Sequence, residues 1–223
     1  MEKKRSKIIK DLIMDDINAL QAMHSLDLML EDMDKSEIKN WVNNELNGYQ
    51  KKDDIPQYRK INAVLMGNVQ FGSRLYKNMN IPLSDIEAIK MFNQVEIRDP
   101  ISKIIQMAKA ENETEEHCLL LVANTILVNH YQETNGDVIS AYRKLGLYAY
   151  NNILAVIKDK LIEVFKLLEK NYGNLDKLYI DFSDNSKKDI IKELGTIVYN
   201  DNSINIGDNN QLKESIVGDK NEN

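Results

Sequence analysis

Apolar residues recur at steps of three and four over most of this chain, which is the spacing of an amphipathic helix. Residues 5–33 carry two such stripes that differ in phase, so one bent helix or two consecutive helices both fit. Residues 138–172 give the longest helical signal, and Gly173 is placed to end that helix. The pattern therefore predicts a mainly α-helical protein.

Local end signals mark further helices. A helix from about 35 to 46 opens with Asp34 and Glu37 at capping-box spacing and stops at Asn47-Gly48. Another is predicted to begin at Ser84, whose hydroxyl is suited to an N-cap. These signals extend the helical prediction through the first half of the chain.

Other segments have less regular patterns. We expect Gly67 to end a helix, 68–80 to form a loop or short strand, and the acidic run 111–116 to be a linker. Residues 118–130 are apolar on all sides and fit either a buried helix or a strand. Residues 178–182 alternate as a strand would. Strands are thus expected to be few and short.

Composition changes after Asn174, which predicts a multi-helix domain over 1–173 and a small β-containing appendage over 174–223. The end of the chain is rich in Asn and Asp, a composition that suits tight turns, Asn ladders between copies or a disordered polar tail. In the assembly interpretation this tail makes the protein a homo-oligomer. The residues assigned to the assembly tail are Ile204, Ile206, Asn209, Asn210 and Ile216.

Charge and cysteine usage limit the functional classes. The net charge is −6 and the pI about 5.2, which disfavours a general nucleic-acid binder. Cys118 is the only cysteine, so no internal disulfide can form, and we expect a cytoplasmic protein. The longest apolar run, 118–128, is interrupted by polar residues and too short for a membrane span.

Catalytic motifs are weak or absent from the sequence. The three histidines lack the close His or Cys neighbours of a zinc site, and no phosphate-binding loop or nucleophile elbow occurs. The acidic pairs Asp15-Asp16 and Asp53-Asp54 are typical of solvated surfaces. We therefore expect no metal, no cofactor and no catalytic residue.

One group of residues is the best candidate for a functional site. Its first part lies in the last turns of the helix predicted from about 35 to 46 and just after it: Trp41, Glu45, Asn47, Gly48 and Tyr49. Pro56, Tyr58 and Arg59 follow within a short loop. If that loop folds back, Arg59 can hold Glu45 in a bidentate ion pair and the tyrosines can pack on Trp41. The structural interpretation is a cluster that fixes how the helix meets the core. The functional interpretation is a binding surface for a partner.

These residues resemble the signature W-x-x-x-E-L-N-G-Y … L-P-x-Y-R of the AbiTii domain family. The similarity extends over roughly 5–172. In the closing helix of the family, written V-R-N-R-L-L, this chain has Lys158 and Lys160 where arginine is expected. Lysine cannot reproduce the bidentate fork of arginine. The resemblance implies abortive infection, a bacterial defence against phage, and it implies no agreed catalytic site.

Three hypotheses follow for function. The favoured one is a non-enzymatic sensing or self-assembly component, with a phage-derived trigger or a co-encoded defence protein as its partner. A toxin enzyme, such as a nuclease whose site lies around Glu45, Tyr49, Tyr58 and Arg59, is the first alternative. An antitoxin-like binding module for a neighbouring gene product is the second, because an acidic chain would complement a basic partner.

Overall fold

An antiparallel sheet occupies the middle of the chain in the computed structural model, which describes residues 5–34, 36–182 and 188–199. Helix accounts for 51% of the described residues and strand for 19%. The prediction of a mainly α protein with a small β-containing C-terminal appendage is therefore wrong, and the fold is α/β. The helices are α1 Lys7–Ile13, α2 Ala19–Met29, α3 Glu37–Asn47, α4 Ile86–Asn93, α5 Ile101–Glu113, α6 Thr125–Tyr131, α7 Ala149–Tyr172 and α8 Lys188–Tyr199.

The strands are β1 Lys60–Phe71, β2 Arg74–Asn80, β3 Gln94–Glu96, β4 Leu120–Val122 and β5 Asp137–Leu145. Four of them lie in the order β2-β1-β5-β4, and all neighbours are antiparallel. The fifth strand, β3, pairs with the first residues of β1. A single 3-10 turn, Gln57–Arg59, leads directly into β1. The segment carrying the signature therefore feeds the central strand of the sheet.

The predicted helix over 138–172 is wrong in its first part, because 137–145 is strand β5. The pairing of β5 with β1 contains a bulge near Val138, which inserts an extra residue into the strand. The bulge separates the buried residues Val138 and Ala141 by three positions, and the next buried residue, Leu145, follows two ordinary strand repeats later. A bulged strand thus produced the spacing of a helix. The helix itself begins at Ala149.

Gly67 does not end a helix but lies within β1. A Cβ at this position would collide with the carbonyl oxygen of Ser140 in β5, so glycine permits the two backbones to approach closely. The segment 68–80 completes β1, turns at Gly72 and returns as β2. The strand alternative for that segment is correct, although the strands are longer than expected.

The helices before the sheet confirm the two-helix alternative for 5–33. Asn18 caps α2 with a complete capping box: its side chain accepts from the amide of Gln21, and the Gln21 side chain accepts from the amide of Asn18. The caps of α3 and α4 differ from prediction by one or two positions. Ser36 rather than Asp34 caps α3, and Asp85 rather than Ser84 caps α4.

Two apolar cores lie on the covered side of the sheet. The larger is built around α7, whose buried face packs on α1, α2, α5 and α8. The smaller lies between the sheet and helices α4 and α6, and includes Leu65, Phe92 and Val128. Fully burying one such side chain contributes about 1.5–3 kcal/mol. The fold thus depends on both cores, and the sheet contributes to each.

Residues after Gly173 join the larger core through Leu175, Ile180, Leu194 and Val198. The expected strand over 178–182 is wrong: the described chain is irregular there, and Leu178 has a left-handed φ of 53° that interrupts the alternation. Helix α8 packs on α3 so closely that a Cβ at Gly195 would meet the Glu37 carboxylate.

Two further segments differ from their sequence pattern. The acidic run 111–116 is not a linker, since α5 continues to Glu113 and Glu111 is buried. Residues 118–130 contain both of the alternatives that were left open, because β4 is followed at once by α6. Asn124 separates them by capping α6 with its side-chain oxygen.

Candidate functional site

A buried ion pair lies at the end of α3. Glu45 points from the last turns of the helix, and Arg59 lies at the end of the 3-10 turn that precedes β1. Arg59 Nε donates to Glu45 Oε1 at 3.0 Å, and Arg59 Nη2 donates to Glu45 Oε2. Both side chains have 0% exposure. The bidentate pair proposed from sequence spacing is therefore present, and it closes the loop between helix and strand.

The remaining Arg59 nitrogen joins this pair to α5. Nη1 donates to the carbonyl oxygens of Ile97 at 2.9 Å and Asp99 at 2.7 Å, just before α5 begins. One guanidinium therefore connects α3, the start of β1 and the chain entering α5. These two partners could not be predicted from the sequence, because a backbone carbonyl leaves no signal in residue type.

Three aromatic side chains complete the cluster. The hydroxyls of Tyr49 and Tyr58 both donate to Glu45 Oε1, at 2.8 and 2.6 Å, and Trp41 Nε1 donates to the Tyr58 oxygen at 2.8 Å. Arg59 Cζ lies 4.9 Å from the Tyr49 ring centre, which is cation–π distance. We call Trp41, Glu45, Tyr49, Tyr58 and Arg59 the buried lock.

Electrostatics keep the two tyrosines and Arg59 of the lock in one protonation state. Burial, followed by the negative charge of Glu45, raises the pKa of Tyr49 and of Tyr58 well above the ordinary value. Burial lowers the pKa of Arg59, but Glu45 outweighs it and the net pKa is raised. Both tyrosines remain neutral donors and Arg59 remains charged at ordinary pH. The lock is therefore suited to holding elements together, and its charges face no solvent.

The other signature residues have separate roles. Gly48 ends α3 with φ +87°, and a Cβ there would lie 3.0 Å from the Arg98 carbonyl. Pro56 is buried at the start of the 3-10 turn. Asn47 is exposed and bonds only to Asn43 on its own helix. Gly48 and Pro56 thus shape the loop, whereas Asn47 lies outside the buried lock.

Lys160 of α7 extends the lock toward α8. Its Nζ lies 5.7 Å from the Tyr58 ring centre and donates to the Ile197 carbonyl in the last turn of α8 at 2.9 Å. A backbone carbonyl and a ring face are thus among the groups that this ammonium contacts. A lysine at the inward-facing spacing of Ile157 and Leu161 was the sequence signal that could have revealed it.

A second buried carboxylate, Glu111, lies at the N-terminus of α7. Its Oε2 accepts from the amides of Tyr150 and Asn151 at 3.1 and 3.3 Å, and from Asn151 Nδ2 at 3.0 Å. Tyr148, which precedes α7, has a left-handed φ of 54° and provides no cap of its own. Glu111 from α5 therefore caps α7 from across the core. This capping role could not be predicted from the position of Glu111 in an acidic run.

The predicted assembly tail, Ile204, Ile206, Asn209, Asn210 and Ile216, lies outside the described residues. Within 5–34, 36–182 and 188–199, no group of three or more His, Cys, Asp or Glu is placed to hold a metal ion. None of the described helices combines the length and apolar character that crossing a bilayer requires. Of the two predicted sets of site residues, the structure therefore describes only the signature residues, which include the buried lock.

An open antiparallel sheet joined to a helical core by a buried ion pair defines an α/β protein whose signature motif faces inward. The family model named AbiTii matches residues 6–193 of the chain. The chain therefore belongs to the AbiTii family, and the resemblance inferred from the signature is confirmed. The family suggests a role in abortive-infection defence against phage. No curated protein and no solved structure matches the chain.

Proposed function

We propose that this protein is a non-enzymatic sensing or self-assembly component of an abortive-infection defence. The observation that carries the proposal is the inward orientation of the signature: Trp41, Glu45 and Arg59 have no exposed surface. The polar atoms of the lock bond to one another and to backbone carbonyls. A substrate molecule in solution therefore could not reach the charged groups of the lock. A holding role accounts for this arrangement without a reaction.

One described surface is suited to protein contacts. Large apolar side chains are exposed on β4 at Leu120 and Val122, and on α6 at Ile126. Exposed apolar groups of this kind are typical of surfaces that bind other proteins. They support a phage-derived trigger, a co-encoded defence protein or a second copy as partner, and the overall acidity disfavours nucleic acid.

Phage challenge of cells producing the intact protein tests the biological role. Abortive infection predicts that the culture survives a low ratio of phage to cells and collapses at a high ratio, while phage yield falls in both. Protection with no change in phage adsorption supports the role. Equal plaque numbers with and without the protein, over a broad phage panel, would remove it.

Two signature variants separate a holding role from a binding role. Asn47 is exposed, so Asn47→Ala would abolish protection if the signature contacted a partner. We expect Asn47→Ala to protect as well as the native chain. Arg59→Lys should lose protection together with folded protein, because lysine cannot form the bidentate bonds. Loss of protection by Asn47→Ala at a normal protein level would contradict the holding role.

Purified protein addresses the enzymatic alternative. Incubation with RNA and DNA, with and without divalent metal, should leave both intact if the role is non-enzymatic. Cleavage that persists in Asn47→Ala and disappears when the buried lock is disrupted would instead support the toxin hypothesis. Co-purification of the tagged chain with a neighbouring gene product, and no protection without that product, would favour the antitoxin-like module.

The tail beyond the described residues is proposed to contribute to assembly. Ending the chain at residue 174 would remove core residues Leu194 and Val198, so that truncation would test folding rather than assembly. A chain ending at Tyr199 keeps α8 and is the better comparison. If the tail contributes to assembly, the solution mass of this shorter chain should be lower than that of the full chain; an unchanged mass would contradict a role for the tail.

A further inference from the structure

Strand β4 forms one edge of the sheet. It pairs with β5 on one side, and no strand among the described residues pairs with its other side. The Leu119 carbonyl accepts from the amide of Leu145, and the Ala123 amide donates to the carbonyl of Ala141. Because backbone groups alternate in direction along a strand, those of Leu120 and Val122 point away from β5. These two residues present unpaired N–H and C=O groups at the open edge.

The side chains at this edge are apolar and exposed. Val122 has 87% of its surface exposed and Leu120 has 56%, and Ile126 at the start of α6 has 82%. No charged residue occurs between Cys118 and Asn129, in a chain that is 29% charged. Natural proteins usually protect an edge strand with charges, proline or a covering element. This edge has none of those protections in the part of the chain that the structure describes.

Charge favours a second copy of the chain as the occupant. The net charge of −6 opposes close contact between copies over most of the surface. The segment 118–129 is neutral, so two copies can meet there without placing like charges together. Glu115, Glu116 and Glu133 flank it; Glu116 is paired with Lys144, and the other two carboxylates disfavour anionic lipid and nucleic acid. The edge is therefore better matched to itself than to those surfaces.

Strand geometry specifies how the two copies would meet. An antiparallel pair of identical strands has a two-fold axis, which is the symmetry of most protein dimers. With the axis at Leu121, each copy's Leu120 lies opposite the other copy's Val122. The backbone groups that point outward then form hydrogen-bonded pairs in both directions, and the exposed Leu and Val side chains become cross-strand neighbours.

We propose that two copies pair through β4 in this antiparallel register and join their sheets into one continuous sheet. This inference rests on the assembly role proposed above and gives that role a defined surface. The edge is short, so β4 pairing is completed by apolar contact around Ile126. The interface uses described residues and does not require the tail.

The first test is sedimentation equilibrium of the full chain over a range of concentrations. We expect reversible dimerisation of the native protein, weakened at least about tenfold by Val122→Lys, because each copy would place a charge at the apolar pair. Ile86→Lys is the matched control: Ile86 has 71% exposure on α4, outside the sheet edge, and its variant should dimerise as the native chain does. Equal weakening by both variants, or a native chain that remains monomeric throughout, would overturn the proposal.

A cross-linking experiment tests the register without depending on a disruptive variant. In a Cys118→Ala background, Leu120→Cys and Val122→Cys proteins are prepared separately. Opposed Cα atoms in a hydrogen-bonded antiparallel pair lie about 5.5 Å apart, within disulfide range. The mixture should therefore give more disulfide-linked dimer under mild oxidation than either protein alone. Equal yields in all three samples would contradict the register.

Phage protection separates this inference from the proposed function. If Val122→Lys is monomeric yet protects fully, β4 pairing fails as the functional assembly while the defence role stands. If the native chain dimerises through β4 but no phage is restricted, the defence role fails while the interface stands. Loss of both dimer and protection in Val122→Lys, with Ile86→Lys unaffected, supports both.

Discussion

Glu45 and Glu111 are both fully buried carboxylates, yet the protein stabilises them by different means. Glu45 faces a guanidinium and accepts from two tyrosine hydroxyls. Glu111 has no cation bonded to it; its Oε2 accepts amide hydrogens at the start of α7, and its Oε1 has no partner among the described residues. One is held by an opposite charge, and the other by the N-terminus of a helix.

The difference shows what each charge requires. An ion pair in a dry interior depends on its partner, because removing one member leaves an uncompensated charge. A carboxylate at a helix N-terminus is stabilised by several amides and the helix dipole, so no single group is indispensable. We therefore expect the region around Glu45 to be more sensitive to single substitutions than the region around Glu111.

The largest effect is expected for Arg59→Met, which leaves Glu45 buried without its cation. The free energy of unfolding should fall by about 3–5 kcal/mol, measured by denaturant titration. Adding Glu45→Met to this variant removes the unpaired charge and should recover at least about 1 kcal/mol. If the double variant is less stable than Arg59→Met, the pair does not carry the coupling assigned to it.

Glu111→Ala should destabilise less, by about 1–3 kcal/mol, since it leaves the first amides of α7 without an acceptor. Glu113→Ala is the control, because Glu113 lies on the same helix but is exposed, and its effect should stay within about 0.5 kcal/mol. Thermal unfolding of both variants provides the measurement. Equal losses would mean that charge on α5, rather than the cap, determines stability.

Tyr58→Phe should cost about 1–2 kcal/mol, because the hydroxyl both donates to Glu45 and accepts from Trp41. Tyr76→Phe on the exposed strand β2 should cost less than about 0.5 kcal/mol. The fluorescence of Trp41 reports on the same site, and its emission should change only in Tyr58→Phe. A silent Tyr58→Phe would show that Arg59 and Tyr49 satisfy Glu45 without the Tyr58 hydroxyl.

The effect that is smallest at neutral pH concerns Tyr150, which lies beside Glu111 and whose hydroxyl titrates only in alkaline solution. Burial, then the charges of Asp99 and Glu111, raises the pKa of Tyr150 to about 12 from an unfolded value near 10. The unfolded chain therefore loses this proton first as pH rises. Stability is intact below about pH 10 and decreases toward pH 12, by at most about 1.4 kcal/mol per pH unit for one proton. Tyr150→Phe should make the decline shallower, as followed by unfolding at a series of alkaline pH values.

The sequence predicted part of the site because its chemistry is local. Glu45 and Arg59 are joined by one short loop, so residue types and spacing sufficed to propose a bidentate pair. The carbonyls of Ile97 and Asp99 come from a distant segment and have no residue-type signal. Glu111 was missed because a buried acid and a solvated acid have the same appearance within a charged run.

The fold was predicted less well, and the bulge near Val138 accounts for the error in β5. It separates the buried residues Val138 and Ala141 by three positions, and with Leu145 four positions further on the strand had the pattern of a helix. In β1, glycine at position 67 suggested a helix end where a close approach of two strands required it. The helices with uninterrupted apolar faces, such as α7, were identified correctly from Ala149 onward.

The guanidinium of Arg59 also has a consequence for how the protein opens in solution. It bonds at once to α3 and to the chain before α5, and the Tyr49 amide bonds to the carbonyl of Arg98 in the same place. Neither segment can separate from the sheet without breaking both sets of bonds. Amide protons at the end of α3 and the start of α5 should therefore exchange with solvent at a common rate, as a single cooperative unit of the native ensemble.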